Sequence, residues 1–213
     1  MTPLLRWDDA LLKLELFRPR GSVTDRAPVP QGTVELSGNQ ALSFARSGAE
    51  LALRGAVTHE MREALKIWGV RIAPRGKPWN PDPAVFARTL GAELLEQLGE
   101  APPLIVCPAG EGTALLGALA ALRQRWPRVR GVGLVAAGEE LPDLPRSADL
   151  PAEIELVAVA RDDAARARAR LGRELGLLAN HAGAAAAGYA HDRGGVAIVT
   201  APGEREFSLE APR

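Results

Sequence analysis

Two polar segments of the chain follow predicted strands and could bind an anion. AGEGT (109–113) and SGNQ (37–40) each lie between a predicted strand and a predicted helix. Their glycines leave backbone N–H groups open, and N–H groups at a helix N-terminus attract negative charge. Without a ligand, 109–113 is simply a tight turn and Ser37 simply a helix cap. The candidate ligand-binding residues are Ser37, Gly38, Asn39, Gln40, Gly110, Gly112 and Thr113.

No complete metal or nucleophile motif accompanies these segments. HEMRE (59–63) has the first histidine and the glutamate of a zinc-binding helix but lacks the second histidine. His181 and His191 have no acidic or cysteine partners at ligand spacing. Cys107 is the only cysteine, so an internal disulfide and a cysteine metal cluster are both excluded. We therefore expect no metal, and we interpret Cys107 as a buried apolar residue.

The composition indicates a globular protein with no marked attraction to nucleic acid or membranes. Of 213 residues, 46% are hydrophobic, and 26 acidic residues balance 26 basic ones. The arginine-rich segment 161–173 favours a solvated helix face over a nucleic-acid contact. MTPLLRWDD (1–9) reaches acidic residues before an apolar core of signal length, and no apolar run of about 18 residues follows. We expect a soluble, cytoplasmic protein.

Strand and helix patterns alternate along the chain, which predicts an α/β fold with parallel strands. An apolar strand is predicted at 13–17 (KLELF), and a β-α-β-α-β unit follows it. The strands of that unit and of the rest of the chain are predicted at 33–37, 49–55, 70–74, 103–108, 128–138, 154–160 and 195–201. The helices are predicted at 38–48, 58–69, 83–99, 114–126, 162–176 and 182–192.

The same pattern divides the chain into two domains. The β-α-β-α-β unit forms a small domain at 32–74, and residues 1–31 and 75–213 form a large α/β domain. Segment 75–83 is interpreted as a proline-rich connection, and 139–153 as a loop.

Several segments stand in an order that is typical of one enzyme family. They are TPLLRW (2–7), KLELFRPRGSVTDR (13–26), SGNQA (37–41), NPDPAVFARTLGAELLEQLG (80–99), GLLANHAGAAAAGY (176–189) and VAIVTAPGER (196–205). Together they resemble the fold type II pyridoxal-phosphate (PLP) enzymes, which include cysteine synthase, threonine synthase, serine dehydratase and the tryptophan synthase β chain. The resemblance implies a two-lobed, parallel-sheet architecture and a dimer. Between Arg26 and Val34 the chain is shorter than the family pattern, so we expect a trimmed small subdomain.

The resemblance implies a lysine at the position that Thr24 occupies here. In the family that lysine forms a Schiff base with the PLP aldehyde and then moves the α-proton of the bound amino acid. A threonine hydroxyl can do neither near neutral pH. The only lysines of the chain are Lys13, Lys66 and Lys77, and none has an evident route to the site. We therefore expect no Schiff base.

Two further cofactor contacts implied by the resemblance are altered. The family phosphate loop corresponds to 109–113, where Glu111 would place a carboxylate beside a dianion. Two charges about 4 Å apart repel by about 4 kcal/mol at an effective dielectric constant of 20. The hydroxyl that contacts the pyridine nitrogen corresponds to Ala201, or to Thr200 if the alignment shifts by one residue.

Other positions keep the family pattern. The resemblance assigns the loop 37–40 to the α-carboxylate of the substrate, and Asn39 to a ring oxygen of the cofactor. It makes Asp25 and Arg26 framework residues that hold the turn through hydrogen bonds.

These observations favour a non-catalytic homologue of the cysteine and threonine synthases, without PLP. Such a protein would bind a small carboxylate or an amino acid, a paralogue, or a second copy of itself. One alternative is an active PLP-dependent lyase or synthase with an atypical base, for which Lys13 is the nearest candidate. Another is an enzyme of a different class that uses the same cleft without PLP.

Overall fold

A computed structural model describes residues 1–19, 21–29, 32–37, 41, 44, 50–54, 59–79, 81–138 and 154–201. Its strands are β1 (Leu4–Trp7), β2 (Ala10–Leu14), β3 (Val34–Ser37), β4 (Leu51–Arg54), β5 (Ile72–Ala73), β6 (Lys77–Pro78), β7 (Leu104–Pro108), β8 (Arg130–Ala136), β9 (Ile154–Val159) and β10 (Val196–Val199). Its helices are α1 (His59–Ile67), α2 (Pro83–Phe86, Ala87–Gly91 and Ala92–Gln97 in succession), α3 (Gly112–Arg125), α4 (Arg161–Leu175) and α5 (His181–His191). None of the helices in this part of the chain has the length and apolarity needed to cross a membrane.

The larger sheet has six strands in the order β1-β2-β10-β7-β8-β9. β1 pairs with β2 in an antiparallel hairpin, and all the other pairs are parallel. One face is covered by α4 and α5, and the other by α2 and α3. Both faces are therefore buried, which explains why β7 and β10 are uninterrupted apolar segments. The carboxyl ends of β2, β10, β7, β8 and β9 lie along one edge of this sheet.

The smaller sheet has four parallel strands in the order β5-β4-β3-β6. Its core includes Leu36, Phe44, Leu51 and Leu65. Trp79 packs against this core and also against the α2–α3 face of the larger sheet, so that one side chain joins the two cores. The predicted division of the chain at residues 32–74 stays a prediction.

Three parts of the chain differ from the predicted elements. β1 and the first residues of β2 precede the predicted strand at 13–17 and were not predicted. The predicted strand at 13–17 is wrong beyond residue 14, because Glu15–Phe17 forms a 3-10 turn that directs the Glu15 carboxylate towards Arg26. The predicted connection 75–83 contains β6, which pairs with β3 at the edge of the smaller sheet. An edge strand tolerates Pro78, since one side of it needs no backbone donor.

Other predicted segments fall outside the described residues. They are the helix at 38–48, except for residues 41 and 44, and the loop at 139–153.

The contact between α2 and α3 depends on a glycine. A Cβ atom at Gly117 would lie 2.2 Å from the carbonyl oxygen of Pro83 and 2.7 Å from the Cβ of Phe86. No side chain can be accommodated at these distances unless the two helices move apart.

We predict that Gly117→Ala lowers the free energy of unfolding by about 2 kcal/mol, because the added methyl group overpacks the helix contact. Gly172→Ala, also inside a helix, is the control. Its Cβ would meet nothing closer than the Leu177 carbonyl oxygen at 4.0 Å, and alanine is favoured over glycine in a helix by about 1 kcal/mol. Urea unfolding measures both variants, and equal stabilities would contradict the close packing of α2 on α3.

Candidate functional site

The carboxyl edge of the larger sheet brings together three of the segments singled out in the sequence. The segment after β2 carries Thr24, the segment after β7 is 109–113, and β10 leads into Thr200 and Ala201. The N–H of Ala201 donates to the carbonyl oxygen of Gly21 at 2.8 Å, which joins the end of β10 to the turn before Thr24.

Gly21 allows this close approach. It has a φ of 72°, which favours glycine, and a Cβ atom there would lie 2.6 Å from the Cβ of Ala201. The methyl group of Ala201 therefore packs directly against the backbone of the turn.

Thr24 lies in a 3-10 turn, Val23–Arg26, and is almost completely buried, with 3% of its surface exposed. Its hydroxyl donates to Ser22 Oγ at 2.9 Å, and its backbone N–H donates to the same oxygen at 3.3 Å. Ser22 therefore caps the turn. Thr24, which stands at the family's lysine position, therefore stabilises its own turn.

Arg26 holds this turn in place through a buried ionic cluster, as predicted for a framework residue. Its Nε and one terminal nitrogen donate to the two carboxylate oxygens of Glu15 at 2.8 and 2.7 Å. The same terminal nitrogen donates to Thr2 Oγ1 at 3.1 Å and forms an ion pair with Glu93 of α2. The paired geometry and the burial make this a strong contact.

Lys13 belongs to the same cluster. Its side chain is fully buried, and its Nζ lies 2.9 Å from Glu93 Oε2. The amine also donates to the carbonyl oxygen of Thr2 at 2.8 Å and to Gln97 Oε1 at 2.6 Å. All three hydrogens of the ammonium therefore have acceptors.

The cluster changes the pKa values of its members. Burial lowers the pKa of Lys13, and the neighbouring Glu93 carboxylate opposes that change. For Glu93 burial acts to raise the pKa, but hydrogen bonds from Lys13 and Arg26 outweigh it and hold the pKa at about 2. Glu93 is therefore ionised throughout the physiological range.

The glycine-rich segment after β7 forms a tight connection. Ala109–Glu111 is a 3-10 turn, and α3 begins at Gly112. Gly110 is exposed, with no atom within 4 Å of a Cβ built on it, whereas Gly112 is buried and Thr113 half-buried. Gly110 therefore faces open space. The predicted repulsion between Glu111 and a phosphate stays a prediction.

The loop at 37–40 is described only at its first residue. Ser37 ends β3, and Gly38, Asn39 and Gln40 lie outside the described residues. Their assignment to carboxylate binding stays a prediction.

Asn180 forms a hydrogen bond with the hydroxyl of Thr200, just after β10. Asn180 was not identified from the sequence. Its side-chain nitrogen donates to Thr200 Oγ1 at 2.7 Å, and its side-chain oxygen accepts the N–H of Gly183 at the start of α5. An asparagine immediately before an alanine-rich helix is a typical N-cap, and this signal could have identified it.

His191 contacts two aspartates, although the sequence shows no partner for it at metal-ligand spacing. Its Nε2 lies 2.9 Å from Asp8 Oδ2, and its Nδ1 lies 3.3 Å from Asp192 Oδ1. The Asp8 contact could not be read from the sequence because the β1–β2 hairpin brings Asp8 to the end of α5. Within the described part of the chain, no group of three or more histidine, cysteine, aspartate or glutamate residues could hold a metal ion.

No family model matches the chain, and no curated protein matches it either. Among solved structures, an O-acetylserine-dependent cystathionine β-synthase from Helicobacter pylori is similar, with a TM-score of 0.77 and 18% identity over 97% of this chain and 94% of that one.

Two structures of O-ureido-L-serine synthase are also similar. The first has a TM-score of 0.74 and 20% identity over 97% of this chain and 90% of that one. The second, a lysine-to-alanine variant with O-ureido-L-serine bound, has a TM-score of 0.71 and 20% identity over 97% and 89% of the two chains. These similarities confirm the predicted fold, which is that of the fold type II PLP enzymes.

We predict that Glu93 stabilises the protein above pH 4.5 and loses this effect as the pH falls towards 2. The pKa of Glu93 is lowered from 4.5 to about 2, so the folded state holds fewer protons than the unfolded state between these values. The lowering of the Glu93 pKa corresponds to about 3 kcal/mol in the free energy of unfolding. The free energy of unfolding of Glu93→Gln should therefore lie about 3 kcal/mol below that of the wild type at pH 6, and the gap should narrow near pH 2.

Glu96→Gln, on the exposed side of the same helix, is the control and should follow the wild-type curve. Urea unfolding at pH 6, 4, 3 and 2 gives the comparison. A gap between wild type and Glu93→Gln that is independent of pH would contradict the assigned role of the carboxylate.

Proposed function

We propose that this chain is a non-catalytic binding protein built on the fold of PLP-dependent synthases, and that it binds a small carboxylate. The observation that carries the proposal is the position of every lysine in the chain. All three lie in the described part of the structure, so none remains to be placed elsewhere.

None of the three lysines is arranged to bind an aldehyde at the carboxyl edge of the sheet. The amine of Lys13 is buried with three hydrogen-bond partners. Lys66 is exposed on α1, where it pairs with Glu63 at 2.7 Å. Lys77 is exposed on the edge strand β6.

Two other positions that the family pattern assigns to PLP differ from that pattern or have protein partners. The Thr24 hydroxyl donates to Ser22, and the Thr200 hydroxyl accepts from Asn180, which leaves its own hydrogen to donate. Ala201 offers only a methyl group, which lies against Gly21. The described residues therefore do not fit a covalently bound PLP, and the proposal includes no PLP chemistry.

An active PLP enzyme that uses Lys13 is the second candidate, and it meets an energetic objection. Lys13 would have to leave Glu93, Gln97 and the Thr2 carbonyl oxygen to reach a cofactor. Removing one partner of a buried ion pair costs about 3–5 kcal/mol, because the other charge stays buried without compensation.

The proposed ligand is supported by the segments that remain suitable for an anion. The segment 109–113 and the candidate loop 37–40 each follow a parallel strand, where ligands of α/β proteins commonly bind. The lysine-to-alanine variant of O-ureido-L-serine synthase, crystallised with O-ureido-L-serine, is a protein of this fold that holds an amino-acid derivative with one lysine removed. We also propose that the protein partner, where there is one, is a second copy of the chain or a paralogue. The proposed location is the cytoplasm.

A thermal-shift screen tests carboxylate binding. Amino acids, O-acetyl-L-serine and other small acids are added to the purified protein. A ligand at about 100 times its Kd adds about 2.7 kcal/mol to the free energy of unfolding, which raises Tm by about 5–10 °C in a chain of this length. We predict that at least one carboxylate gives such a shift.

Asn39→Ala should abolish the shift, because Asn39 belongs to the loop 37–40 that the family pattern assigns to the ligand carboxylate. Gln124→Ala, an amide-to-alanine change on the exposed side of α3, should keep it. The absence of a shift with every acid, or an unchanged shift in Asn39→Ala, would contradict binding at this loop.

A further inference from the structure

Arg168 lies on the buried side of α4, although most arginines of this helix are exposed. Only 7% of its surface is exposed, and its Nε donates to the carbonyl oxygen of Ala179 at 2.9 Å. The exposed arginines of α4 are Arg161, Arg166 and Arg173. A guanidinium group is always charged, and a buried charge is stable only beside an opposite charge. A carboxylate is therefore expected near this side chain.

The carboxylates of α4 itself are placed elsewhere on the helix. Asp163 forms an ion pair with Arg166, and Glu174 accepts a hydrogen bond from Arg170 at 2.7 Å. Asp162 is exposed in the first turn. The counter-charge of the buried guanidinium is therefore expected from another part of the chain.

The guanidinium of Arg168 lies beside the end of β10. The carbonyl oxygen of Ala179, which accepts from Arg168, belongs to the same peptide group as the N–H of Asn180. That N–H donates to the carbonyl oxygen of Thr200 at 3.0 Å. Arg168 and Thr200 are therefore separated by two hydrogen bonds and one peptide group. The segment that follows Ala201 starts from this point.

The first residues of that segment have the composition of a tight turn. In Ala201-Pro202-Gly203-Glu204, proline and glycine occupy the two central positions, as is typical of a type II turn. Such a turn brings the Cα atoms of its first and last residues within about 7 Å of each other. Glu204 carries the first carboxylate after β10, and the turn would place it close to Ala201 and so to Arg168.

We propose that the carboxylate of Glu204 pairs with the guanidinium of Arg168, so that segment 202–206 docks against α4 and the connection between α4 and α5. The Nε of Arg168 already donates to Ala179, and its two terminal nitrogens can bind the two oxygens of one carboxylate. The inference goes beyond the proposed function and does not depend on which ligand the chain binds.

This contact would hold the candidate site from a second side. The N–H of Ala201 already donates to Gly21, which fixes the end of β10 to the turn that carries Thr24. With Glu204 on Arg168, the same end of β10 is also fixed to α4.

A double-mutant cycle followed by thermal unfolding tests the pair. Arg168→Gln and Glu204→Gln should each lower Tm by about 10 °C, because each leaves one buried charge without compensation. The double variant should be no less stable than either single variant, since it removes both charges. Additive losses in the double variant, or an unchanged Tm in Glu204→Gln, would overturn the inference.

Glu206→Gln is the matched control, because it makes the same chemical change two residues further along the segment. Its Tm should stay within about 2 °C of the wild-type value. A loss of stability in Glu206→Gln that is coupled to Arg168→Gln would overturn the assignment to Glu204.

Hydrogen exchange gives an independent test on the unmodified protein, and it applies even if Arg168→Gln does not fold. Mass spectrometry compares the backbone amides of 203–206 with those of a synthetic peptide that has the sequence of 200–207. The amides in the protein should exchange at least about tenfold more slowly, since a docked segment exchanges only when it opens. Equal rates in protein and peptide would overturn the inference.

Discussion

The carboxylate of Glu93 is the contact on which the site depends. It pairs with Lys13 of β2 and with Arg26 of the turn that carries Thr24, and so joins α2, the central sheet and the edge where a ligand would bind. Buried charges are stable only when they are paired and hydrogen-bonded. The same interaction that fixes the turn therefore also keeps the nearest amine away from it.

The turn at the end of β2 keeps its conformation without the lysine of the family pattern. A fold type II PLP enzyme needs a mobile amine at the end of β2, and this chain has a hydroxyl there that donates to Ser22. The loop keeps its conformation because Arg26, Glu15 and the Gly21–Ala201 backbone contact hold it. At the position where the family pattern has an amine, this chain has a buried hydroxyl that is bonded to Ser22.

The sequence predicts those parts of the fold that depend on local patterns. Apolar segments such as 103–108 and the alanine-rich helix near 182–192 lie close to where their composition places them, because a strand or helix buried by its neighbours is apolar along its length. The motifs around Thr24 and the GER segment identify the fold even though identity to the solved structures is only 18–20%.

Contacts between distant residues could not be predicted. The cluster of Lys13, Arg26 and Glu93 joins three elements, and none of these residues is unusual where it stands in the sequence. The turn at Glu15 was missed for the same reason, since it depends on the distant partner Arg26.

The central claim, that no lysine of this chain can bind the PLP aldehyde at the site, is tested most directly by chemical trapping. The purified protein is incubated with PLP, reduced with borohydride, digested, and mapped by mass spectrometry. The account predicts label only on exposed amines such as Lys66 and Lys77, and none on Lys13, whose amine is buried and already has three acceptors. Stoichiometric reduction of PLP onto Lys13 would contradict it.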